Sequence, residues 1–82
     1  MEIAIDTSVL VAVIVPNDLW HFQAIRLLEA IEANGHIAVY FDCVAAEAVS
    51  VATRRLHEKN RLNEAPAVIE QLNMRVPAYA ER

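Results

Sequence analysis

The sequence predicts an α/β fold in which helices pack on both sides of a short parallel sheet, a three-layer α/β/α arrangement. Short runs rich in Ile and Val alternate with longer segments of helical apolar periodicity, in the order strand, helix, strand, helix. The second of these runs is apolar at consecutive positions, as expected for a parallel strand covered on both faces. With 82 residues, the chain has room for one domain.

The first predicted element is a strand over residues 2–6, which ends at Asp6. Thr7 or Ser8 is expected to cap a short helix over residues 9–14, and Asp6 is an alternative cap for the same turn. The turn residues Pro16, Asn17 and Asp18 follow, so this helix is expected to be brief.

A second helix is predicted from about residue 19 to residue 33, with Asn17 or Asp18 as its cap. Gly35 is expected to end it in the left-handed conformation. The expected apolar stripe of this helix consists of Leu19, Phe22, Ile25, Leu28 and Ile31.

A second strand is predicted over residues 36–41, followed by a helix from about residue 44 to residue 59 that Asp42 caps and Asn60 ends. A further short helix is expected over residues 64–72, with Asn63 as its cap and Pro66 in its first turn. Residues 74–77 are expected to be extended or a loop. The core-facing positions of the third helix are expected to be Val44, Ala48, Val51, Ala52 and Leu56.

The charge distribution is uneven. The net charge of −4 argues against broad, non-specific binding of nucleic acid. Residues 1–53 carry seven acids and a single base, whereas residues 54–61 carry four of the seven Lys and Arg residues. This basic patch fits either a phosphate-contacting surface beside an acidic site or a set of cations that complement a helix C-terminus.

Several features indicate a cytoplasmic protein. The one cysteine, Cys43, excludes an intrachain disulfide and is expected to be a small buried residue in a reducing compartment. The longest apolar run, residues 9–15, is too short to cross a bilayer, and the N-terminus lacks the basic region of a secretion signal. Four large aromatic side chains are interpreted as core or interface residues and not as platforms for base stacking: Trp20, Phe22, Tyr40 and Phe41.

Two carboxylates stand in apolar sequence, where burial of an ionised group is costly unless it is paired or bound to a cation. Asp6 follows the first strand, and Glu47 lies near the start of the third helix. Because parallel strands end at one edge, both are expected there, where their repulsion implies a raised pKa or a bound cation such as Mg²⁺ or Mn²⁺. The structural alternative is that Asp6, Asp42 and Glu47 serve only as caps or as partners of helix dipoles.

Residues 3–12, Ile-Ala-Ile-Asp-Thr-Ser-Val-Leu-Val-Ala, resemble the opening of PIN-domain proteins, in particular VapC-type toxins of toxin–antitoxin modules. Residues 43–50, Cys-Val-Ala-Ala-Glu-Ala-Val-Ser, resemble the second acidic motif of the same family, at a matching separation of one helix and one strand. The resemblance covers about residues 2–60. It implies a Mg²⁺- or Mn²⁺-dependent endoribonuclease with Asp6 and Glu47 as metal-binding catalytic residues, supported by Thr7 or Ser8. Apart from the resemblance, Asp42 is expected to cap its helix, with a supporting ligand role as the alternative.

The later acids of the family have no counterpart here, and Glu81 stands in no matching context. The chain is therefore expected to be a single partial PIN-like domain over residues 1–82, weakly active or inactive alone. The apolar edge of the first strand is expected to be covered by another copy, in a homodimer or a domain-swapped oligomer. RNA is the expected substrate, an antitoxin protein is a possible partner, and no association with a membrane is expected.

Two other functional classes are compatible with the residues. One is a non-catalytic module for oligomerisation or antitoxin binding, which the high apolar fraction favours. The other is a small-ligand α/β domain of flavodoxin or receiver type. A receiver domain requires clustered acids after its first strand, where this chain has Asp6 alone.

Overall fold

The computed structural model describes residues 1–76. These residues form a mixed α/β structure that is mostly helical, with a two-stranded parallel sheet. None of the described helices combines the length and the apolar character that crossing a membrane requires. The elements in chain order are β1 (Glu2–Ala4), α1 (Thr7–Ile14), α2 (His21–Ala33), β2 (Ile37–Val39), α3 (Asp42–Glu58), a 3₁₀ turn (Leu62–Glu64) and α4 (Ala65–Arg75).

The predicted parallel pairing of the two strands is confirmed. Glu2 pairs with Ile37, Ile3 with Ala38, and Ala4 with Val39, so both strands run toward the same edge of the sheet. The backbone N–H of Ile5 continues the ladder by donating to the carbonyl of Val39 at 2.9 Å. Each strand is three residues long, shorter than predicted, because the backbone leaves the ladder to begin a helix.

The expectation that both faces of β2 are covered is wrong for the described residues. Ile37 is 64% exposed, and the other two residues of the strand are only half-buried. Packing of α2 against β2 covers part of the sheet. The described residues thus show a mixed α/β fold with a short parallel sheet. The three-layer, PIN-like arrangement is part of the proposed function.

Helix α1 lies at the centre of the molecule and packs most extensively against α3, with further contacts to α2 and α4. The six residues from Leu10 to Val15 are all buried, so this helix has no solvent-facing side over its second half. Close approach of α3 is possible because the side chains that it buries against the core are mostly small: Ala45, Ala48, Ala52 and Leu56. The predicted core face of α3 is therefore confirmed at residues 48, 52 and 56, with Val44 and Val51 half-buried beside it.

Two helices end in the same hydrogen-bonded motif. After α2, the N–H groups of Gly35 and His36 donate to the carbonyls of Glu32 and Ile31, and Gly35 has a φ of 77°. After α3, Asn60 has a φ of 55° and its N–H donates to His57, while Arg61 N–H donates to Leu56. These are Schellman motifs, which use a left-handed residue to satisfy the last carbonyls. The predicted ends of both helices are confirmed.

The expected boundaries at the other helix ends need correction. Helix α2 begins at His21, after a turn in which the Asp18 carboxylate accepts the Trp20 N–H at 2.9 Å, so Leu19 lies outside the helix. Its buried residues are Ala24, Leu28 and Ile31. Helix α4 runs to Arg75, so residues 74 and 75 are helical and not extended, and Asn63 lies in the 3₁₀ turn. Pro77 and Glu81 lie outside the described residues.

Of the two alternatives for the aromatic residues, core or interface, the core alternative is wrong for three of the four. Trp20 is 61% exposed, Phe22 is 73% exposed and Phe41 is 55% exposed, whereas Tyr40 is half-buried. Burial raises the pKa of Tyr40. Cys43 is exposed as well, because it lies on the outward side of α3. Helical periodicity alone does not distinguish an apolar position that faces the core from one that faces solvent at an unpartnered surface.

Ala48 is fully buried where α1 packs closely on α3, so a larger side chain at this position is expected to destabilise the protein. Replacing it with Leu forces three additional carbons into this contact and is expected to lower the free energy of unfolding by about 1–3 kcal/mol. Ala46 is exposed on the same helix, so Ala46→Leu is the matched control and is expected to change stability by less than about 0.5 kcal/mol. Urea unfolding followed by circular dichroism measures both. Equal effects of the two substitutions would contradict this packing.

Candidate functional site

The carboxyl edge of the sheet is where the chain brings its acidic residues together. Asp6 lies two residues beyond the end of β1, and Asp42 lies three residues beyond the end of β2. Since Ala4 and Val39 are in register, these two residues leave the sheet side by side, and α1 and α3 both begin there. The predicted convergence of the first carboxylate and the start of the third helix at one edge is therefore confirmed by the topology.

Asp6 is exposed and is the N-cap of α1. Its Oδ1 accepts the backbone N–H of Val9 at 3.0 Å and the hydroxyl of Ser8 at 2.9 Å. These hydrogen bonds, that of Val9 first, stabilise the ionised form and lower the pKa of Asp6 below its ordinary value. The expectation that Asp6 lies near buried surface is therefore wrong, because the chain turns outward after Ile5, and the raised pKa, one of the two alternatives for this carboxylate, does not hold.

Thr7 and Ser8 are the first residues of α1 and not its caps, since Asp6 takes that role. Ser8 is exposed and donates to Asp6, which is the supporting role expected of a hydroxyl at this position. Thr7 is half-buried. The Ser8 hydroxyl and the Val9 N–H both donate to Oδ1 of Asp6, and the backbone N–H of Ser8 also interacts with this carboxylate.

Asp42 is the first residue of α3, where the N-cap position belongs to Phe41, so the predicted cap is displaced by one residue. A carboxylate in the first turn interacts favourably with the positive end of the helix. Glu47 lies in the second turn, about 7.5 Å along the helix axis from Asp42. It is exposed on the side of α3 opposite the buried alanines, so the expectation of a poorly solvated Glu47 is wrong.

Three carboxylates follow the ends of the strands or lie in the first two turns of α3. Mg²⁺ and Mn²⁺ are bound through oxygen, commonly with several carboxylates and retained waters. Asp6, Asp42 and Glu47 have the right chemistry, but within residues 1–76 no three His, Cys, Asp or Glu side chains come close enough to form a metal site. The described residues alone therefore do not fit a complete cation site, and any further ligands must come from other residues.

Two polar contacts near the C-terminal end of α1 were not predicted from the sequence. Arg55 on α3 donates to Oδ2 of Asp18 at 2.6 Å, across 37 positions of sequence. Nδ1 of His21 hydrogen-bonds to the carbonyl of Ala12 at 2.7 Å, which satisfies one of the last carbonyls of α1. Both contacts link residues that are distant in sequence. The only local signal was that Asp18 is an acidic residue in a turn before a helix, which is a position typical of a cap.

Comparison of the chain with protein-family models, with curated proteins and with solved structures found no match. The resemblance to PIN-domain proteins therefore depends on the residues of the two motifs and on the edge that brings them together.

Two substitutions of Asp6 test its role as the cap of α1 independently of any role as a ligand. Asp6→Ala removes the acceptor for the Val9 N–H and is expected to destabilise the protein by about 1 kcal/mol. Asp6→Asn keeps a side-chain oxygen that caps a helix almost equally well, so it is expected to cost far less. Urea unfolding of both variants measures the difference, and equal losses would contradict the capping geometry.

The lowered pKa of Asp6 adds a pH dependence. Folding lowers this pKa, so the carboxylate stabilises the fold above its ordinary pKa, and this contribution is lost as the pH falls through the folded value. The wild-type protein is therefore expected to lose more stability than Asp6→Asn between about pH 5 and pH 2. If the stabilities of the two proteins fell in parallel with pH, the ionised form of Asp6 would contribute nothing to the free energy of unfolding.

Proposed function

We propose that this chain carries part of the site of a PIN-like, metal-dependent endoribonuclease, to which Asp6 and Glu47 contribute carboxylates. The observation that carries the proposal is the parallel register of β1 and β2. Because Ala4 pairs with Val39, the Asp-Thr-Ser motif and the start of α3 share one edge, and ligands of parallel α/β sheets bind at that edge. The order of the two motifs along the chain matches the resemblance.

The chemistry of the individual residues is consistent with this role. Asp6 is ionised at neutral pH, since its hydrogen bonds lower its pKa, and its side chain is exposed. Ser8 fixes the orientation of the carboxylate through Oδ1. Glu47 is exposed and so is accessible to a ligand shared with other residues. A bound Mg²⁺ or Mn²⁺ would supply Lewis-acid chemistry toward a phosphodiester when the set of ligands is complete.

Because the proposed metal site is incomplete, the isolated chain is expected to bind the metal weakly. Two or three carboxylates hold a hydrated Mg²⁺ only weakly, because this ion dehydrates reluctantly and needs near-octahedral geometry. The proposal therefore assigns further ligands to a second copy, another protein or residues outside 1–76. The three-layer α/β/α arrangement and the cytoplasmic location are parts of the same proposal, as is RNA as the substrate.

Binding of Mn²⁺ tests the site directly. Amide NMR signals of residues 6–9 and 42–47 are expected to broaden first during a Mn²⁺ titration, because a paramagnetic ion acts on nearby nuclei. Asp6→Asn and Glu47→Gln are expected to weaken this broadening about tenfold or more in Mn²⁺ concentration, while the fold is retained. Glu29→Gln, an exposed residue of α2, is the matched control and is expected to leave the titration unchanged.

Ribonuclease activity provides the second readout of the same variants. Activity of the purified chain with Mn²⁺ is expected to be low and to disappear in both Asp6→Asn and Glu47→Gln. Cleavage that depends on Mn²⁺ but survives Asp6→Asn would remove Asp6 from the mechanism. Broadening that is strongest elsewhere, or that is insensitive to both substitutions, would exclude this edge as the metal site.

A second candidate function is that of a non-catalytic association module. The observation in its favour is that several large apolar side chains are more than half exposed, among them Leu19, Trp20, Phe22 and Ile37. Contiguous exposed apolar surface commonly marks a protein–protein contact. Sedimentation velocity at micromolar concentration is expected to show a self-associating species in this case. A well-folded monomer without affinity for a second copy would count against it.

A further inference from the structure

Helix α2 carries a stripe of exposed residues on the side that faces away from the core. Four residues form this stripe, here called the α2 seam, and all four are exposed: Phe22, Arg26, Glu29 and Ala33. The buried residues of α2 lie on the opposite side of the helix. The seam residues are separated by intervals of four, three and four positions. Such intervals are those of the line along which two helices pack in a coiled coil.

The apolar end of the seam is Phe22, which is exposed but held in place. Phe22 is 73% exposed, and its ring packs edge-to-face on the imidazole of His21, with 5.3 Å between the ring centroids. His21 is itself held by its hydrogen bond to the carbonyl of Ala12 at 2.7 Å. Leu19, three residues before Phe22 in the chain, is 81% exposed. An exposed aromatic ring in a fixed orientation is well suited to a contact with another protein.

The middle of the seam holds one cation and one anion. Arg26 and Glu29 are both exposed, and the two ion pairs found among residues 1–76 involve neither of them. Both charged groups are therefore accessible to a partner. Exposed ion pairs add little to affinity, but opposite charges that face each other across an interface determine which partner and which orientation are accepted.

The seam is complementary to itself when a second copy runs antiparallel. In a two-fold arrangement centred midway along the seam, Phe22 of each copy lies opposite Ala33 of the other, where the small side chain leaves room for the ring. In the same arrangement, Arg26 of each copy lies opposite Glu29 of the other, so two pairs of opposite charge form. A parallel arrangement would place Arg26 against Arg26 and Glu29 against Glu29, and like charges would repel.

We propose that two copies of this chain associate through the α2 seam as an antiparallel, two-fold helix pair. The proposal rests on the association function given as the second candidate, and it names the surface and the partner of that function. A second copy is the occupant that the residues favour, because each position of the seam has its complement in a reversed copy of the same helix. The contact uses neither Asp6 nor Glu47 and needs no metal. It is expected to be weak, because the seam contains few large apolar side chains.

Sedimentation equilibrium of the full chain in EDTA measures the association. The wild-type protein is expected to show a reversible equilibrium between monomer and dimer. Arg26→Glu and Glu29→Arg are each expected to raise the dissociation constant about tenfold or more, because each places like charges opposite one another at both symmetry-related positions. Phe22→Ala is expected to weaken the dimer about tenfold through lost contact area. Arg54→Glu makes the same change of charge at an exposed residue of α3 and is the matched control.

Two restorations of the charge pairs identify the antiparallel register. The double variant Arg26→Glu with Glu29→Arg exchanges the charges of both pairs, so it is expected to associate as strongly as the wild-type protein. An equimolar mixture of the two single variants is expected to form a heterodimer, because the two acids of one variant then face the two cations of the other. Restoration in the mixture cannot come from a change within one helix. Circular dichroism and urea unfolding verify that each variant is folded.

The outcomes separate this contact from the other proposals. Association that is insensitive to both charge reversals would overturn the α2 seam and leave the association function to another surface. Weakening by the single variants without restoration in their mixture would overturn the antiparallel register, and with it the proposal. A chain that stays monomeric would overturn both the seam and the association function. The proposed metal site is judged separately by the Mn²⁺ titration, which Arg26→Glu and Phe22→Ala are expected to leave unchanged.

Discussion

The structure depends on the burial of helix α1. Residues 10–15 are apolar and inaccessible, so neighbouring elements must cover this segment. The alanines of α3 permit close contact on one side, while α2 and α4 cover other parts of the helix. With its middle sealed in this way, α1 can make polar contacts only at its ends. The Asp6 cap lies at one end, and the His21–Ala12 hydrogen bond lies at the other.

The position of the candidate site follows from this constraint. Asp6 has to satisfy the first N–H groups of a helix that is otherwise sealed, so it lies at the surface where β1 ends. Helix α3 begins at the same edge of the sheet, because the strands are parallel and in register. Oδ1 of Asp6 accepts the hydrogen bonds from the Ser8 hydroxyl and the Val9 N–H that hold the cap, while the side chain stays exposed to solvent. A structural role and a ligand role are therefore compatible in a single side chain.

The sequence was sufficient for the features that depend on local chemistry. Gly35 and Asn60 end their helices in the left-handed conformation, and the parallel pairing of β1 and β2 follows from the alternation of strands and helices. Sequence patterns did not predict burial correctly where burial depends on which element packs against a given side of a helix. Helical periodicity placed Phe22 in the core, and apolar neighbours suggested a buried Glu47, yet both are exposed. Only the assembled fold shows which side of each helix has a partner.

For the candidate site, the sequence predicted the edge and the acids but not their environment. The sequence allowed Asp6 to be predicted as the helix cap, because an apolar helical segment begins three residues after it. Thr7 and Ser8 are also of residue types that cap helices well, so the sequence did not distinguish among the three. The link between Asp18 and Arg55 spans 37 positions, and no local signal predicts a contact at that range.

The composition of α1 has a consequence for the fate of the protein when it unfolds. Residues 9–15 read Val-Leu-Val-Ala-Val-Ile-Val, an uncharged segment dominated by β-branched side chains that intrinsically favour strands. Packing against α3 and the Asp6 cap hold this segment in a helix, but an opened chain would expose a seven-residue stretch well suited to cross-β stacking. Asp6 on one side and Pro16 with Asp18 on the other are the gatekeepers of that stretch. Loss of the native contacts would thus lead toward aggregation, so folding speed and cellular quality control set how much of this protein persists.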